Sequence, residues 1–139
     1  MQVRVFYEDT DFSQAVYHAN YLVWFEVGRV ELMRALGVEY KKMEAEDDCH
    51  IVVADAHCRY ERSARYDEVV RIRTHIAESR NRIVKFAYQV FRDKDSELLA
   101  TGETTHIICG SNGRPKLLPQ KYRELLAALG VPDPDRSKE

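Results

Sequence analysis

The chain has 139 residues, which is the size of one domain and is enough to bury a hydrophobic core without disulfides or metals. Lys and Arg number 21 against 23 Asp and Glu, for a net charge of −2. This balance argues against a general nucleic-acid-binding protein, which carries a strongly basic face. Hydrophobic residues make up 45% and charged residues 32%, a composition typical of globular rather than disordered chains.

The cysteines and the apolar runs indicate the compartment. Cys49, Cys58 and Cys109 are odd in number and have no C-x-x-C spacing, so we expect free, reduced thiols. No signal-like apolar stretch opens the sequence, and the longest apolar run, residues 21–25, is far too short to span a bilayer. We therefore expect a cytoplasmic protein with no membrane span.

The first part of the chain predicts one strand and one long helix. Residues 2–7 alternate in polarity as a strand does, and residues 8–13 form a carboxylate-rich loop. A helical pattern then covers residues 20–36, with Asn20 as the expected N-cap and Gly37 as the left-handed residue that ends the helix. Because apolar residues surround most of this helix, we expect it to be buried.

The one part of this helix that is not apolar is a narrow polar strip. It comprises Glu26, Arg29, Glu31 and Arg34. Glu26 and Arg29 have the i, i+3 spacing of an ion pair on one helix face. We expect this pair to be structural, either within the helix or across a dimer.

From residue 49 onward the pattern is that of β-structure. Four strands are predicted to pair consecutively as an antiparallel meander, with short turns at residues 78–81 and 93–97. The strands are residues 49–62, 68–77, 82–91 and 98–109. A short helical segment precedes them, a loop and a second helix follow, and a frayed tail ends the chain. These segments are residues 39–48, 110–119, 120–129 and 132–139, and residues 1–131 form the predicted single domain.

This order of elements predicts an α+β fold in which one antiparallel sheet wraps around one long buried helix. One sheet and one helix leave sheet edges unpaired, and pairing of edges between two chains removes that exposure. We therefore expect a homodimer, or a homotetramer built from two such dimers.

The functional signal lies between the first strand and the helix. Residues 7–21 read YEDTDFSQAVYHANY, so carboxylates and a histidine directly precede the start of the predicted buried helix. The unpaired N–H groups at a helix start, and the positive end of the helix dipole, favour negative charge. Such a place is suited to hold a developing oxyanion beside a reactive carboxylate.

The sequence resembles the hotdog-fold acyl-CoA thioesterases, in particular the branch of the 4-hydroxybenzoyl-CoA thioesterases and the YbgC-like enzymes. The resemblance covers nearly the whole chain and rests on YEDTD at residues 7–11, VYHxxY at residues 16–21 and ExxR at residues 26–29. Weaker similarities are ARYD at residues 64–67 and GRP at residues 113–115. The resemblance implies the hotdog fold and hydrolysis of acyl-CoA to a free carboxylic acid and coenzyme A.

The resemblance also implies roles for individual residues. The family's catalytic aspartate falls on Asp11, not on Asp9, and acts either as the nucleophile or as the general base. The backbone N–H of His18 is the implied oxyanion donor. The His18 imidazole and Tyr7 are expected to position substrate or water.

Neither a metal nor an organic cofactor is expected, because coenzyme A is part of the substrate and the histidines show no ligand spacing. The thioester of an acyl carrier protein is the alternative substrate. The histidines other than His18 are expected in strands: His50, His57, His75 and His106. Basic residues of the predicted strands and turns are candidates for the coenzyme A phosphates: Arg59, Arg62, Arg65, Arg80, Arg82 and Lys85.

One position departs from the family's pattern. Gln14 stands where relatives commonly have glycine, a residue that allows positive φ or close approach of a substrate. This departure motivates a second hypothesis, a non-catalytic module that binds acyl thioesters. A hydratase or dehydratase of 3-hydroxyacyl thioesters is a third, but it depends on a catalytic histidine in a different motif, and the spacing from Asp11 to His18 favours hydrolysis.

Overall fold

A computed structural model describes residues 1–130 of the chain. These residues form five strands, three α-helices and one short 3-10 helix. In chain order they are β1 (Gln2–Arg4), the 3-10 helix (Tyr7–Asp9), α1 (Asn20–Ala35), α2 (Tyr40–Asp47), β2 (His50–Tyr60), β3 (Val69–Arg80), β4 (Ile83–Arg92), β5 (Leu98–Cys109) and α3 (Gln120–Ala128). The predicted tail, residues 132–139, lies outside the described residues, and a single domain over residues 1–131 stays a prediction.

All five strands form one antiparallel sheet in the order β1-β3-β4-β5-β2. Strands β3, β4 and β5 are the consecutive meander that the sequence predicts. The prediction is wrong for β2, which pairs with β5 at the far edge, while β1 occupies the edge of β3 that β2 would have taken. The β3–β4 turn is also tighter than predicted, because β3 continues to Arg80 and β4 begins at Ile83. The sheet and its helices give the expected α+β class and hotdog fold.

A bulge in β2 determines which of its side chains face α1. The register with β5 shifts between Val53 and Asp55, and a bulge reverses the alternation beyond it. Val53 faces α1 before the bulge, and Ala56, Cys58 and Tyr60 face it afterwards. β2 therefore turns uncharged side chains toward the helix, and its outer edge has no partner strand within residues 1–130.

Two glycines allow helix α1 to lie close to the sheet. Gly28 belongs to the helix, and Gly102 belongs to β5. The buried ring of Phe25 stacks on Tyr88, with ring centroids 4.3 Å apart. A Cβ atom at Gly102 would overlap the Phe25 ring, so only glycine leaves room for it. On the helix itself, a Cβ atom at Gly28 would lie 2.5 Å from the hydroxyl oxygen of Thr74. These two glycines set the distance between α1 and the sheet.

One side of α1 is exposed, contrary to the prediction that most of the helix surface is buried. Leu22, Val23 and Val27 keep 39, 52 and 41% of their surface accessible. The prediction that Arg29 belongs to an exposed polar strip is wrong, because Arg29 is only 9% exposed. Arg29 follows Phe25 by four residues, and positions i and i+4 share one helix face, which here is the buried face.

The first strand is shorter than the predicted residues 2–7. It ends at Arg4, and Tyr7–Asp9 follow as a 3-10 helix. The carboxylate of Asp9 accepts a hydrogen bond of 2.9 Å from the backbone N–H of Phe6. Such a local side-chain contact competes with strand pairing and turns the chain.

Several smaller predictions are confirmed. Gly37 follows α1 with a φ of +88°, and all three cysteines are free. The four histidines other than His18 lie in strands. Within residues 1–130, no helix is long and apolar enough to cross a membrane.

We expect Gly102→Ala to lower the free energy of unfolding by about 1–3 kcal/mol, because the added methyl group displaces the Phe25 ring. Urea unfolding followed by the fluorescence of the single tryptophan measures this. Thr101→Ala on the opposite face of the same strand is the control, with an expected change within about 0.5 kcal/mol. Unchanged stability in Gly102→Ala would contradict this account of the position of α1.

Candidate active site

A small hairpin, residues 10–16, lies between the 3-10 helix and α1. Thr10 and Val16 form an antiparallel bridge, and the backbone N–H of Asp11 donates to the carbonyl oxygen of Ala15 at 2.9 Å. A second bridge, between Ala15 and Arg65, fastens the hairpin to the connection between β2 and β3. The hairpin therefore presents Asp11 on an anchored turn rather than on a free loop.

The carboxylate of Asp11 is exposed and held by Ser13. Its Oδ1 atom accepts hydrogen bonds from the Ser13 backbone N–H at 2.8 Å and from the Ser13 hydroxyl at 2.6 Å. These two bonds, the hydroxyl bond first, hold the pKa of Asp11 below its ordinary value of 3.8, and Arg65 adds to the effect. Oδ2 has no hydrogen-bond partner among the described residues. Asp11 is therefore ionised at neutral pH, with one oxygen free to react.

Gln14 has the backbone conformation that glycine would supply. Its φ is +66°, and its N–H donates to the carbonyl oxygen of Asp11 at 3.0 Å to close the turn. A non-glycine residue in this region costs about 1–2 kcal/mol. The departure from the family's glycine therefore leaves the turn intact, and the chain accepts local strain where it presents Asp11.

The backbone carbonyl of Asp9 joins the hairpin to the start of α1. It accepts hydrogen bonds of 2.8 Å from the N–H of Tyr17 and from the side-chain amide of Asn20. The prediction of Asn20 as N-cap is wrong, because α1 begins at Asn20 and Ala19 occupies the cap position without a side-chain bond. Since the Asn20 amide donates to Asp9, it does not cover the N–H groups at the helix start.

Backbone donors at the start of α1 are unpaired. The N–H groups of His18 and Ala19 have no acceptor within the described part of the chain. They precede a helix of four turns, whose dipole favours negative charge at this end. The His18 imidazole is exposed and lies against the ring of Tyr17, with centroids 4.4 Å apart. The donor predicted from the sequence is thus available to an oxyanion.

Tyr60 of β2 is a residue that sequence reasoning missed. Its hydroxyl donates a 2.8 Å hydrogen bond to the carbonyl oxygen of His18, and its ring stands edge-on to Tyr21 at 5.1 Å. Burial, first of all, raises the pKa of Tyr60 to about 12, so the hydroxyl stays a donor. No local pattern predicts this contact, because the bulge in β2 decides which face Tyr60 occupies.

Tyr7, the third predicted site residue, lies in the 3-10 helix. Its exposed ring packs edge-on against Tyr66, with centroids 5.8 Å apart. Within residues 1–130 its hydroxyl forms no hydrogen bond, and its backbone carbonyl accepts one from the Thr10 hydroxyl at 2.6 Å. The role of Tyr7 in positioning substrate stays a prediction.

A groove of about 240 Å³ runs between α1 and β2, and we call it the α1–β2 groove. It is lined by Leu22, Val23, Glu26, Arg29, Val53, Ala56 and Thr104. The predicted ion pair between Glu26 and Arg29 does not form within the helix, because among the described residues no carboxylate lies within 4.0 Å of the Arg29 guanidinium. A pair across a dimer stays a prediction. Arg34 pairs with Glu31 instead. The groove therefore combines apolar walls with an arginine that has no acidic partner.

Comparisons with known sequences identify the family. The model of the thioesterase-like superfamily matches residues 5–129. The acyl-CoA thioesterase YbgC of Haemophilus influenzae is 31% identical over 114 residues, which cover 82% of this chain and 82% of the relative. The acyl-CoA thioester hydrolase YbgC of Escherichia coli O157:H7 is 31% identical over 120 residues, 85% of this chain and 87% of the relative.

Solved structures agree with this match. The DHNA-CoA thioesterase from Staphylococcus aureus superposes with a TM-score of 0.88 at 28% identity, covering 94% of this chain and 89% of that chain. An antiparallel sheet around α1, with a carboxylate hairpin at the helix start, defines a hotdog-fold protein of the thioesterase type. The chain belongs to the thioesterase-like superfamily and is a YbgC-like member of it.

Ser13→Ala is expected to raise the pKa of Asp11 toward its ordinary value, because it removes the hydrogen bond that lowers this pKa most. Titration of the Asp11 carboxyl carbon by NMR measures the change. Thr10→Ala is the matched control, since the Thr10 hydroxyl donates to Tyr7 and not to Asp11. An equal shift in both variants would show that Ser13 does not control Asp11.

Proposed function

We propose that this thioester hydrolase cleaves acyl-CoA at the hairpin that precedes α1, with Asp11 as the reacting carboxylate. The observation that carries the proposal is an ionised carboxylate with one free oxygen, presented on a hairpin that leads directly to unpaired N–H groups at a helix start. Acyl-CoA and water give a free carboxylic acid and coenzyme A. The names of the YbgC relatives support this substrate class.

The Asp11 carboxylate can act by direct attack or by general-base catalysis. Both routes need it ionised, and the hydrogen bonds from Ser13 favour that state by lowering its pKa. In the direct route, Oδ2 forms a bond to the thioester carbon, and collapse of the tetrahedral intermediate expels the thiolate and leaves a mixed anhydride. Water then hydrolyses the anhydride and restores the carboxylate. In the alternative route, Asp11 takes a proton from the attacking water.

The start of α1 supplies the electrostatic part of the reaction. In either route the carbonyl oxygen becomes negatively charged, and the N–H of His18 donates to it. Tyr60 holds the carbonyl of His18 and thereby orients the backbone of this residue. No general acid is required for the leaving group, because a thiolate leaves readily.

A second copy of the chain completes the site in this proposal. The outer edge of β2 is unpaired within the described residues, and the apolar side chains beside it are exposed. They are Leu22, Val23 and Val27 on α1 and Val53 on β2. Pairing of β2 edges around a two-fold axis would bury this surface and cover the α1–β2 groove. The homodimer is the proposed minimum unit, and its free cysteines fit a cytoplasmic location.

The rival hypothesis of a non-catalytic binding module rests on Gln14 in place of glycine. Gln14 preserves the turn, so this observation does not separate the two functions. The ionised Asp11, on a hairpin that leads to the unpaired donors of His18 and Ala19, favours the enzyme. A binding module would hold acyl-CoA without turnover and would be insensitive to Asp11→Asn.

Asp11→Asn is expected to lower kcat/KM by at least about a hundredfold, because it removes the reacting carboxylate. Thiol release from short, medium, long and aromatic acyl-CoAs measures this, and Glu8→Gln, a neighbouring exposed carboxylate, is the control. Since Asp11 must be ionised and its pKa is lowered, protonation of Asp11 should reduce the activity of the wild type only at pH values below the ordinary aspartate range. Absence of release from every acyl-CoA by folded protein, or full activity in Asp11→Asn, would overturn the proposal.

Val23→Asp is expected to disrupt the dimer, because it places a charge in the exposed apolar surface of α1. Light scattering should give about twice the chain mass of 16.2 kDa for the wild type and the single-chain mass for the variant, with reduced thiol release. Leu129→Asp changes an exposed apolar residue outside α1 and β2 and should leave both unchanged. A fully active wild-type monomer would contradict the shared site.

A further inference from the structure

Arg29 places a positive charge in a buried position where no carboxylate of residues 1–130 forms an ion pair with it. It is 9% exposed, and within residues 1–130 no carboxylate lies within 4.0 Å of its guanidinium. Arg92 shows the usual arrangement, because its side chain is only 18% exposed and pairs with Glu68 at 2.7 Å and Glu97 at 2.8 Å. A poorly solvated cation without an anion is strongly unfavourable. Arg29 is more buried than Arg92 and lacks such a partner.

The groups behind Arg29 are neutral. The Tyr88 hydroxyl and the imidazole of His106 both hydrogen-bond to Thr104 Oγ1, at 2.6 and 2.8 Å. Burial, and then the charge of Arg29, lowers the pKa of His106 to about 4, so its ring is uncharged at neutral pH. Glu26 also lines the groove, but it is exposed to solvent and makes no ion pair with Arg29. The sheet side of Arg29 thus offers hydrogen-bonding groups but no counter-charge.

The α1–β2 groove gives a ligand access to Arg29. Leu22 and Val23, one turn into the helix, form its wall near the helix start, and Val53 and Ala56 form the opposite wall. Arg29 is eleven residues beyond His18, about 16 Å along the axis, and its side chain leans back toward the helix start. The groove itself begins at Leu22 and Val23, so an acyl group held at the His18 N–H and extended along these walls would point its far end toward Arg29.

We propose that the α1–β2 groove binds the acyl group of the substrate and that Arg29 binds a carboxylate at its far end. The substrate class is then acyl-CoA of medium length with a terminal carboxylate, an inference that rests on the proposed function. A guanidinium matches a carboxylate with two parallel hydrogen bonds, and the apolar walls accommodate the methylene groups between the two ends. Coverage of the groove by the second copy would strengthen this contact by excluding water.

Thiol release from octanoyl-CoA and from the mono-CoA thioester of octanedioic acid, which differ only in the terminal carboxylate, tests the selectivity. In the wild type we expect kcat/KM to be at least about tenfold higher for the carboxylated substrate. Arg29→Met keeps the volume but removes the charge, and should abolish this preference while octanoyl-CoA is still hydrolysed. Arg34→Met, an exposed arginine on the same helix, should keep the preference. Equal turnover of both substrates by the wild type would overturn the inference and leave the proposed function standing.

Binding without turnover separates the two proposals. Calorimetry with free octanoate and the neutral octanamide should show octanoate binding at least about tenfold tighter to the wild type, and the difference should disappear in Arg29→Met. If no acyl-CoA is hydrolysed but this Arg29-dependent difference is present, the proposed function fails and the anion site holds. If the wild type binds octanoate and octanamide equally, the anion site fails. If Arg29→Met does not fold, Arg29→Lys, which keeps the charge but loses the paired geometry, should show a reduced preference, and an unchanged one would overturn the role of Arg29.

Discussion

The packing of Phe25 over Gly102 sets the distance between α1 and the sheet, and the rest of the structure depends on it. Because Gly102 leaves room for the ring, Phe25 stacks on Tyr88, and Gly28 in turn lets α1 lie close to β3. At this distance Tyr60 of β2 reaches the carbonyl of His18 at the helix start. One turn after Phe25, the same close approach presses Arg29 against the sheet. One packing contact thus positions both ends of the candidate site.

The reactive end combines local strain with unfilled hydrogen-bonding capacity. Gln14 holds a left-handed turn, Ser13 uses one oxygen of Asp11, and Asn20 binds Asp9 instead of capping its own helix. The left-handed conformation of Gln14 is unfavourable for stability, whereas the hydrogen bonds of Ser13 and Asn20 are favourable. Together they leave a free carboxylate oxygen and free helix N–H groups, which is the distribution of polar groups expected where a reaction takes place.

The other end of the site explains why a hydrolase of this size would work as a pair of chains. The apolar side chains of Leu22, Val23 and Val27 on α1 and Val53 on β2 are exposed in the single chain, and all but Val27 line the groove that leads to Arg29. Covering that surface with a second copy would remove an open sheet edge and shield the groove from water. In this proposal, the same contact between two chains buries the apolar surface, encloses the acyl group and shields the ion pair between Arg29 and the substrate carboxylate.

The sequence determined the features that depend on local patterning: α1 and its end at Gly37, strands β3 to β5, and the spacing of Asp11 and His18 on a segment that leads into a helix. It misassigned the cap at Asn20, the edge position of β2 and the environment of Arg29. Those were decided by tertiary structure, because each depends on a partner far away in the chain. The Asn20 amide is held by its hydrogen bond to Asp9, and β2 takes its edge position by pairing with β5. Tyr60 faces His18 only because of the bulge in β2. The burial of Arg29 could have been predicted, because its spacing from Phe25 already placed it on the buried face of α1. Its lack of a counter-ion could not, because the neutral groups beneath it come from distant strands of the sheet.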